Sequence, residues 1–464
     1  METVMSSQAL ANALASCRYR ALPPETVQSA TWCLVDTLAA VYAAVEEFPI
    51  HRLREFWRAD GMRPGGPCRL IGTGTRVPGA LAALVHSAMA QSLEMDDFHK
   101  QSIVHIGSTV VPPALAAAER LGRNGRDLLT AIVVGYEAGI RAGEAVNPAH
   151  HRIWHSTGTC GTFGAAAAVG KLLGLAPAAM NNALGTAGTQ AAGMNQYMID
   201  GGEMSKPLHA GKAGLNGYLA AMLAAKGFTG ATRIFEGDKG FLRATTSAPH
   251  PEAITTGLDQ RSFPDRITRV TRRLFPVNGH ILSPLEGLLT LRETHQIRAA
   301  QVQAVEIALY AEAYNFLQPV RPTSPFLARF CLPFCVAVAV LDGEVTPQSF
   351  GPRQLKRQDL RQFMSRVRTR EDPNLTATFP ARWSSEVTVE LVDGTRHTAC
   401  VEIPKGDPSN ALSRDDLATK FLKSVESVIG PRAAQRLLDR CLDVRRLDRV
   451  GDLWRGLPWG RSRS

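Results

Sequence analysis

The chain has 464 residues, 45% of them hydrophobic and only 6% aromatic, and carries 52 basic against 42 acidic side chains for a net charge of +10. Such a length can bury a large core and favours two or three domains, and scarce aromatics beside abundant alanine and glycine suit close-packed helices better than a β-sandwich. The positive balance has no recognition motif or interleaved aromatics, even at its densest (Arg445, Arg446, Arg449 and the tail WGRSRS), so no nucleic-acid partner is expected.

In chain order, METVMSSQAL lacks the basic, apolar and small-residue segments of a signal peptide, which makes a cytoplasmic location the expectation. Up to about residue 265 the pattern is helical. PETVQSATWCLVDTLAAVYAAV and GRDLLTAIVVGYEAGIRAGEAV place apolar residues at i, i+3, i+4 and i+7 and break at Gly or Pro. In GKAGLNGYLAAMLAAKGFTG, Gly211, Gly214 and Gly217 predict a seam where helices approach closely. After Pro264 the texture changes. VQAVEIALYAEAY (302–314) alternates as a strand does, PFLARFCLPFCVAVAVLDG (325–343) predicts a helix, and SSEVTVELVDGTRHTACVEIP (384–404) predicts a hairpin through Asp393-Gly394. The apolar run at 330–341 falls short of the ~18 residues of a membrane span, so no membrane partner is expected. Helix then returns in GDPSNALSRDDLATKFLKSVESVI, with Ser413 at the N-cap and Asp416 completing a capping-box-like start. The reading is a mainly α protein: a large all-α helical domain built from both chain ends (1–266 and 404–464) plus a smaller inserted α+β lid domain (267–403).

Familiar motifs fail on spacing. GTFGAAAAVGKLL is one residue too long for a phosphate loop and has Leu172 where a magnesium-binding hydroxyl belongs; LIGTGTRVPG has two of three Rossmann glycines without a following helix of the right phase. There is no G-x-S-x-G elbow and no H-E-x-x-H pair. The eight cysteines contain no C-x-x-C, which predicts buried reduced thiols and no zinc or iron–sulfur site. Three polar constellations remain in apolar surroundings. SLEMDDFHKQSIVHIGS (92–108) gathers Glu94, Asp96, Asp97, His99, Lys100 and His105; HHRIWHSTGTCGTFG (150–164) sets His155 before a Ser/Thr/Gly turn and a helix; GGEMSKPLHAGKAG (201–214) places Lys206 and His209 around Pro207 just ahead of another helix. A single His or Lys in such a place is more often a satisfied core or surface residue than a catalytic one. The alternative is a joint role. Removing a proton next to a carboxylate requires a base near neutrality, and a cationic cluster to hold carboxylates and developing enolate-like charge. Histidines and a lysine among cations suit that work, with acids to orient them.

These blocks and their order, together with CLVDTLAA, GFTGATRIFEGDKGF, RRLFPVNGH and IPKGDPSNALSRDDLATKF, resemble the MmgE/PrpD family of 2-methylcitrate dehydratases, cis-aconitate decarboxylases and iminodisuccinate epimerases. The resemblance implies a helical domain with an α+β lid, a homodimer, a small di- or tricarboxylate substrate and no cofactor. It also implies Lys206, His155, His105 and Asp97 as catalytic residues, with Glu94, Arg273, His280 and His209 binding substrate. Arg273 stands where many relatives have lysine, Phe98 where many have threonine, and CLPF at 331–334 replaces Ser-Leu-Pro-Tyr, so Phe334 lacks a hydroxyl.

The expected activity is a lyase reaction of the 2-methylcitrate dehydratase kind. The alternatives are an epimerase that removes and returns a proton, a cis-aconitate decarboxylase-like enzyme, and a carboxylate-binding relative without turnover. No metal is expected, because the cysteine and histidine spacings match no metal site. Activity should therefore survive exhaustive chelation, and loss restored by one divalent ion would overturn that expectation.

Overall fold

The computed structural model describes residues 6–60, 65–260, 263–317 and 321–459, so the basic tail at 460–464 and the first five residues lie outside it. The chain is mainly helical with a small mixed sheet, and it separates into two compact units. One contains the residues up to Ser92, Asp96–Thr271 and those from Arg414 onward; the other contains Leu93–Met95 and Arg272–Ser413. Among the described residues no helix is long and apolar enough to cross a membrane.

In the first unit, prolines and glycines punctuate the helices. Proline opens Pro24–Ala43, Pro177–Gly188 and Pro431–Leu442, where a missing amide costs nothing, and Gly122 and Gly174 close Ile106–Leu121 and Ser156–Leu173 in the left-handed conformation. Asn124 caps Gly125–Glu144 by accepting from the Asp127 amide at 2.9 Å. The core is built largely from small residues, and this decides how near the helices come. A β-carbon on Gly135 would lie 2.8 Å from the Gly164 carbonyl oxygen, and one on Gly164 would lie 2.9 Å from that of Gly135. Gly125–Glu144 and Ser156–Leu173 thus cross with backbone against backbone.

The predicted glycine seam lies on Ser205–Ala224. Gly211 faces the Leu84 carbonyl oxygen on Gly79–Gln91, where an added β-carbon would sit at 2.8 Å, and Gly217 faces Thr162 and Ala166 on Ser156–Leu173. Contacts between Ser156–Leu173 and Ser205–Ala224 advance together along both chains, Gly158 meeting His209 and Gly217 meeting Ala166. The two helices are therefore parallel, with their N-termini at the same end. Ile106–Leu121 joins them in the same sense: the His105 amide donates to Thr157 Oγ1 at 3.1 Å, and Gly161 packs on Thr109.

In the second unit, Val302–Leu309 is a central strand, parallel to Val367–Glu371 and antiparallel to Ser385–Leu391, which pairs antiparallel with Arg396–Val401. Ser385–Leu391 alternates buried and half-buried residues as its sequence predicts, and helix Leu282–Thr294 covers the buried face, Gly287 lying against Val387. Gly394 adopts φ +85° in the hairpin turn, and Asp393 accepts from the Thr395 amide at 2.9 Å.

Three expectations need correction. The strand predicted over 302–314 ends at Leu309, and Ala311–Phe316 is helical, since alternation in so short an apolar run fits either period. The helix predicted over 325–343 is two helices, Pro325–Ala328 and Leu332–Asp342, because Pro333 has no amide to offer the Arg329 carbonyl. The cysteines are buried except Cys400, which the alternation of the edge strand turns outward.

The seam gives a test. A methyl group on Gly217 would lie 2.6 Å from the Ala166 nitrogen and 2.7 Å from the Thr162 oxygen, both backbone atoms that cannot step aside. Gly217→Ala should destabilise the protein by about 1–3 kcal/mol despite alanine's higher helix propensity, read as a lower urea midpoint. An unchanged or raised midpoint would show that the two helices have slack.

Candidate active site

The acidic stretch leads into Ile106–Leu121, and its carboxylates have different partners. Asp97 is fully buried; one oxygen accepts from the Gly107 amide at 2.8 Å and the other from the Tyr136 hydroxyl at 2.6 Å. Burial and the Asp97 charge push the Tyr136 phenol well above its ordinary range, so it stays protonated and donates. Asp97 thereby fastens the start of one helix to the middle of Gly125–Glu144. Asp96, also buried, lies 3.3 Å from His105 Nδ1. His99 turns inward: its Nδ1 accepts from the Ser102 amide at 3.2 Å, and burial lowers its pKa to about 3. Phe98 is buried, and its backbone bridges to Thr271.

The second and third blocks converge where the parallel helices begin. His155 is the residue ahead of Ser156–Leu173, and its amide donates to the Gly193 carbonyl at 2.9 Å. Lys206 and His209 were expected before their helix but lie in the first turn of Ser205–Ala224, because Pro207 is compatible with a first turn that has no intrahelical amide bonds to lose. His155 Nδ1 is 3.2 Å from His209 Nδ1, so one ring donates to the other. Tyr197 presents its ring edge-on to both, at 5.9 and 5.4 Å between centroids. His155 is 3% exposed and Lys206 6%, and among the described residues His155 Nε2 has no hydrogen-bond partner.

Electrostatics tie the group together. Burial, then the positive charge of Lys206, His209, His105 and His151, holds His155 well below the ordinary imidazole range. His151 is lowered to about 4 by burial and by His105 and Lys206, and His209 is lowered by burial. His151, Tyr197 and Asp96 were not among the expected site residues. His151 and Asp96 lie inside the motif blocks, but only their position in the fold separates them from neighbours such as His150, which bonds Thr245 and Thr159.

Glu94, Arg273 and His280 belong to the second unit. Arg273 Nη1 donates to Glu94 Oε2 at 2.7 Å and to the Val277 carbonyl at 3.2 Å, with both side chains sealed from solvent, and Glu94 holds φ +53°, a strained conformation for a residue with a side chain. His280 is stacked on Trp383 with centroids 4.6 Å apart, and burial lowers its pKa to about 4. Phe334 is buried against Phe350.

The structure thus brings His155, His209, Lys206 and His105 into one cluster, engages Asp97 with a helix start and a phenol, and places Glu94, Arg273 and His280 in another unit. A cavity lined by Arg69, His86, Glu119 and Trp454 shares no residue with the cluster. Among the described residues, no three His, Cys, Asp or Glu side chains group as metal ligands would.

Residues 8–254 match the profile of the MmgE/PrpD N-terminal domain and residues 275–444 that of the MmgE/PrpD C-terminal domain. The chain belongs to the MmgE/PrpD family. Its similar relatives include the cis-aconitate decarboxylase of Aspergillus terreus, 26% identical over 93% of this chain and 91% of that protein. The cis-aconitate decarboxylase of Mus musculus is 27% identical over 76% and 73% respectively, and that of Homo sapiens 26% identical over 78% and 76%.

The histidines of this MmgE/PrpD chain also predict its acid sensitivity. His86 and His99 are lowered to about 3 and His150, His151 and His280 to about 4, against 6.5 for an unfolded imidazole. Below pH 6.5 the unfolded chain takes up protons that the folded chain refuses, so stability falls with pH until the folded values are reached. At pH 5.5 each such group costs about 1.4 kcal/mol. The melting temperature should be level above pH 7 and drop between 6.5 and 5. A flat profile over that window would contradict the neutral burial of these rings.

Proposed function

We propose that this MmgE/PrpD chain is a lyase acting on a small di- or tricarboxylate, with decarboxylation of an unsaturated tricarboxylate as its leading reaction. The observation that carries the proposal is the cluster of buried Lys206 and His155 with half-buried His209 at the converging N-termini of parallel helices, His155 Nε2 having no hydrogen-bond partner among the described residues. Helix N-termini and buried cations favour anions, and a substrate carboxylate offers what this cluster is built to receive.

Two considerations put decarboxylation ahead of dehydration and epimerisation, although the sequence alone favours dehydration. Curated relatives across nearly the whole chain carry the name cis-aconitate decarboxylase. The chemistry agrees. Dehydration and epimerisation begin by pulling a proton from carbon, which calls for a base that titrates near neutrality, whereas His155, His151 and His209 are all lowered and are correspondingly weak bases. Decarboxylation begins by breaking a carbon–carbon bond. The pair from the bond to the departing CO2 forms a new double bond to the neighbouring carbon, and the former double-bond pair takes one proton at its far carbon. That sequence needs cations to hold the remaining carboxylates and one acid to deliver a proton. Lys206 and His105 beside Asp96 are the candidates for delivery, His155 and His209 for holding the anion, and Asp97 acts by holding the Gly107 amide at the helix start that follows His105.

Lys206→Ala and His155→Ala should each lower turnover by roughly a hundredfold or more. His295→Ala, at an exposed ring stacked on His397, should leave it nearly unchanged. Incubation with candidate acids in deuterium oxide, followed by NMR, separates the reactions: one deuteron in a product with a new vinyl group marks decarboxylation, exchange without net conversion marks epimerisation. Near-normal turnover in both folded cluster variants would sink the proposal, and tight citrate binding without turnover of any acid would mark a carboxylate binder.

A further inference from the structure

His280 opens the segment that leads into Leu282–Thr294, and its amide donates to the Asn278 side chain at 3.0 Å. Its ring lies between aromatic neighbours: Trp383 stacks on it at 4.6 Å and 15°, Phe316 lies 5.6 Å away, and Tyr310 meets it nearly edge-on. Tyr310 directly follows the central strand and is 1% exposed; Phe379 stacks on it at 4.6 Å and 15°, so neither phenol nor imidazole has room to turn. The Tyr310 hydroxyl and His280 Nδ1 are hydrogen-bonded.

Either atom could be the donor, and the surroundings decide between them. If His280 Nδ1 carried the proton and donated, the Tyr310 O–H would need another acceptor, and among the described residues His280 is the hydroxyl's hydrogen-bond partner. A buried phenol proton left unpaired costs about 1–3 kcal/mol, enough to exclude that arrangement. The opposite direction satisfies both groups. Burial also keeps Tyr310 protonated, its pKa raised well above the ordinary range, and keeps His280 uncharged near pH 7, with a pKa of about 4.

We propose that Tyr310 is a positioning residue that locks His280 as the neutral tautomer with its proton on Nε2, so that His280 serves as a fixed N–H donor to an anionic oxygen of a carboxylate ligand rather than as a base. Among the described residues Nε2 has no hydrogen-bond partner, so this is the ring atom left to meet a ligand. The stacked rings fix the direction in which it donates. A neutral imidazole adds no proton to a carboxylate and does not lose its own, so it can stabilise charge throughout a reaction without changing state. The identity of the ligand as a carboxylate rests on the proposed function; the tautomer does not.

The test is nitrogen NMR of histidine-labelled protein at pH 7, with the His280 signals identified by their absence in His280→Gln. Wild type should show a protonated Nε2 and a bare, hydrogen-bonded Nδ1. Tyr310→Phe should shift His280 to a mixture of tautomers or to protonated Nδ1, and lower kcat roughly tenfold with KM changed far less. A protonated Nδ1 in wild type, or an unchanged His280 spectrum in Tyr310→Phe, overturns the assignment, and the wild-type spectrum decides even if the variant does not fold. The expected spectra combined with normal turnover in folded His280→Gln would leave the tautomer lock standing and overturn the carboxylate-donor role.

Discussion

The parallel packing of Ile106–Leu121, Ser156–Leu173 and Ser205–Ala224 is the constraint on which the first unit depends. Each helix is preceded or opened by a chemistry-bearing residue, His105, His155 and Lys206 in turn. Parallel packing at backbone distance, with Gly158, Gly161 and Gly217 at the crossings, places those residues at one end. Had one helix run the other way, its residue would lie a full helix length, about 25–30 Å, from the others. Small side chains therefore matter to the site as much as the charged ones do, because they set how near the three helix starts come.

Gathering cations in a core is costly, and the unit answers in two ways. Burial, then neighbouring positive charge, lowers His155 and His151, which disfavours several buried charges at once. The acids are distributed so that each supports a neighbour. Asp96 faces His105, while Asp97 is spent on an amide and a phenol.

The second unit handles its ionisable groups differently. Arg273 and Glu94 form an ion pair sealed from solvent, and removal of either would take a buried counter-charge from the other. His280 depends on ring stacking and one phenol rather than on charge. Arg273 offers a planar fork rather than a point charge, and Phe334 offers no hydroxyl proton.

Local periodicity and spacing made much of this legible in the sequence. Helical texture, the glycine seam at 211–217, the Asp393-Gly394 hairpin and the absence of familiar nucleotide and metal motifs all follow from patterns a few residues long, where backbone sterics and side-chain size act alone. The three motif blocks were visible as polar islands in apolar sequence for the same reason. What the sequence could not decide was direction. Whether Asp97 faces a ligand or the Gly107 amide, whether His151 or His150 joins the cluster, and whether Lys206 precedes its helix or lies in the first turn are set by which helices meet, and at what distance. The same holds at 302–314 and 325–343, where apolar runs fit two periods and only tertiary packing chose. Propensity acts over one turn of chain, whereas the orientation of a buried charge is fixed by partners about fifty residues away, as His155 and His209 show, and no local pattern encodes them.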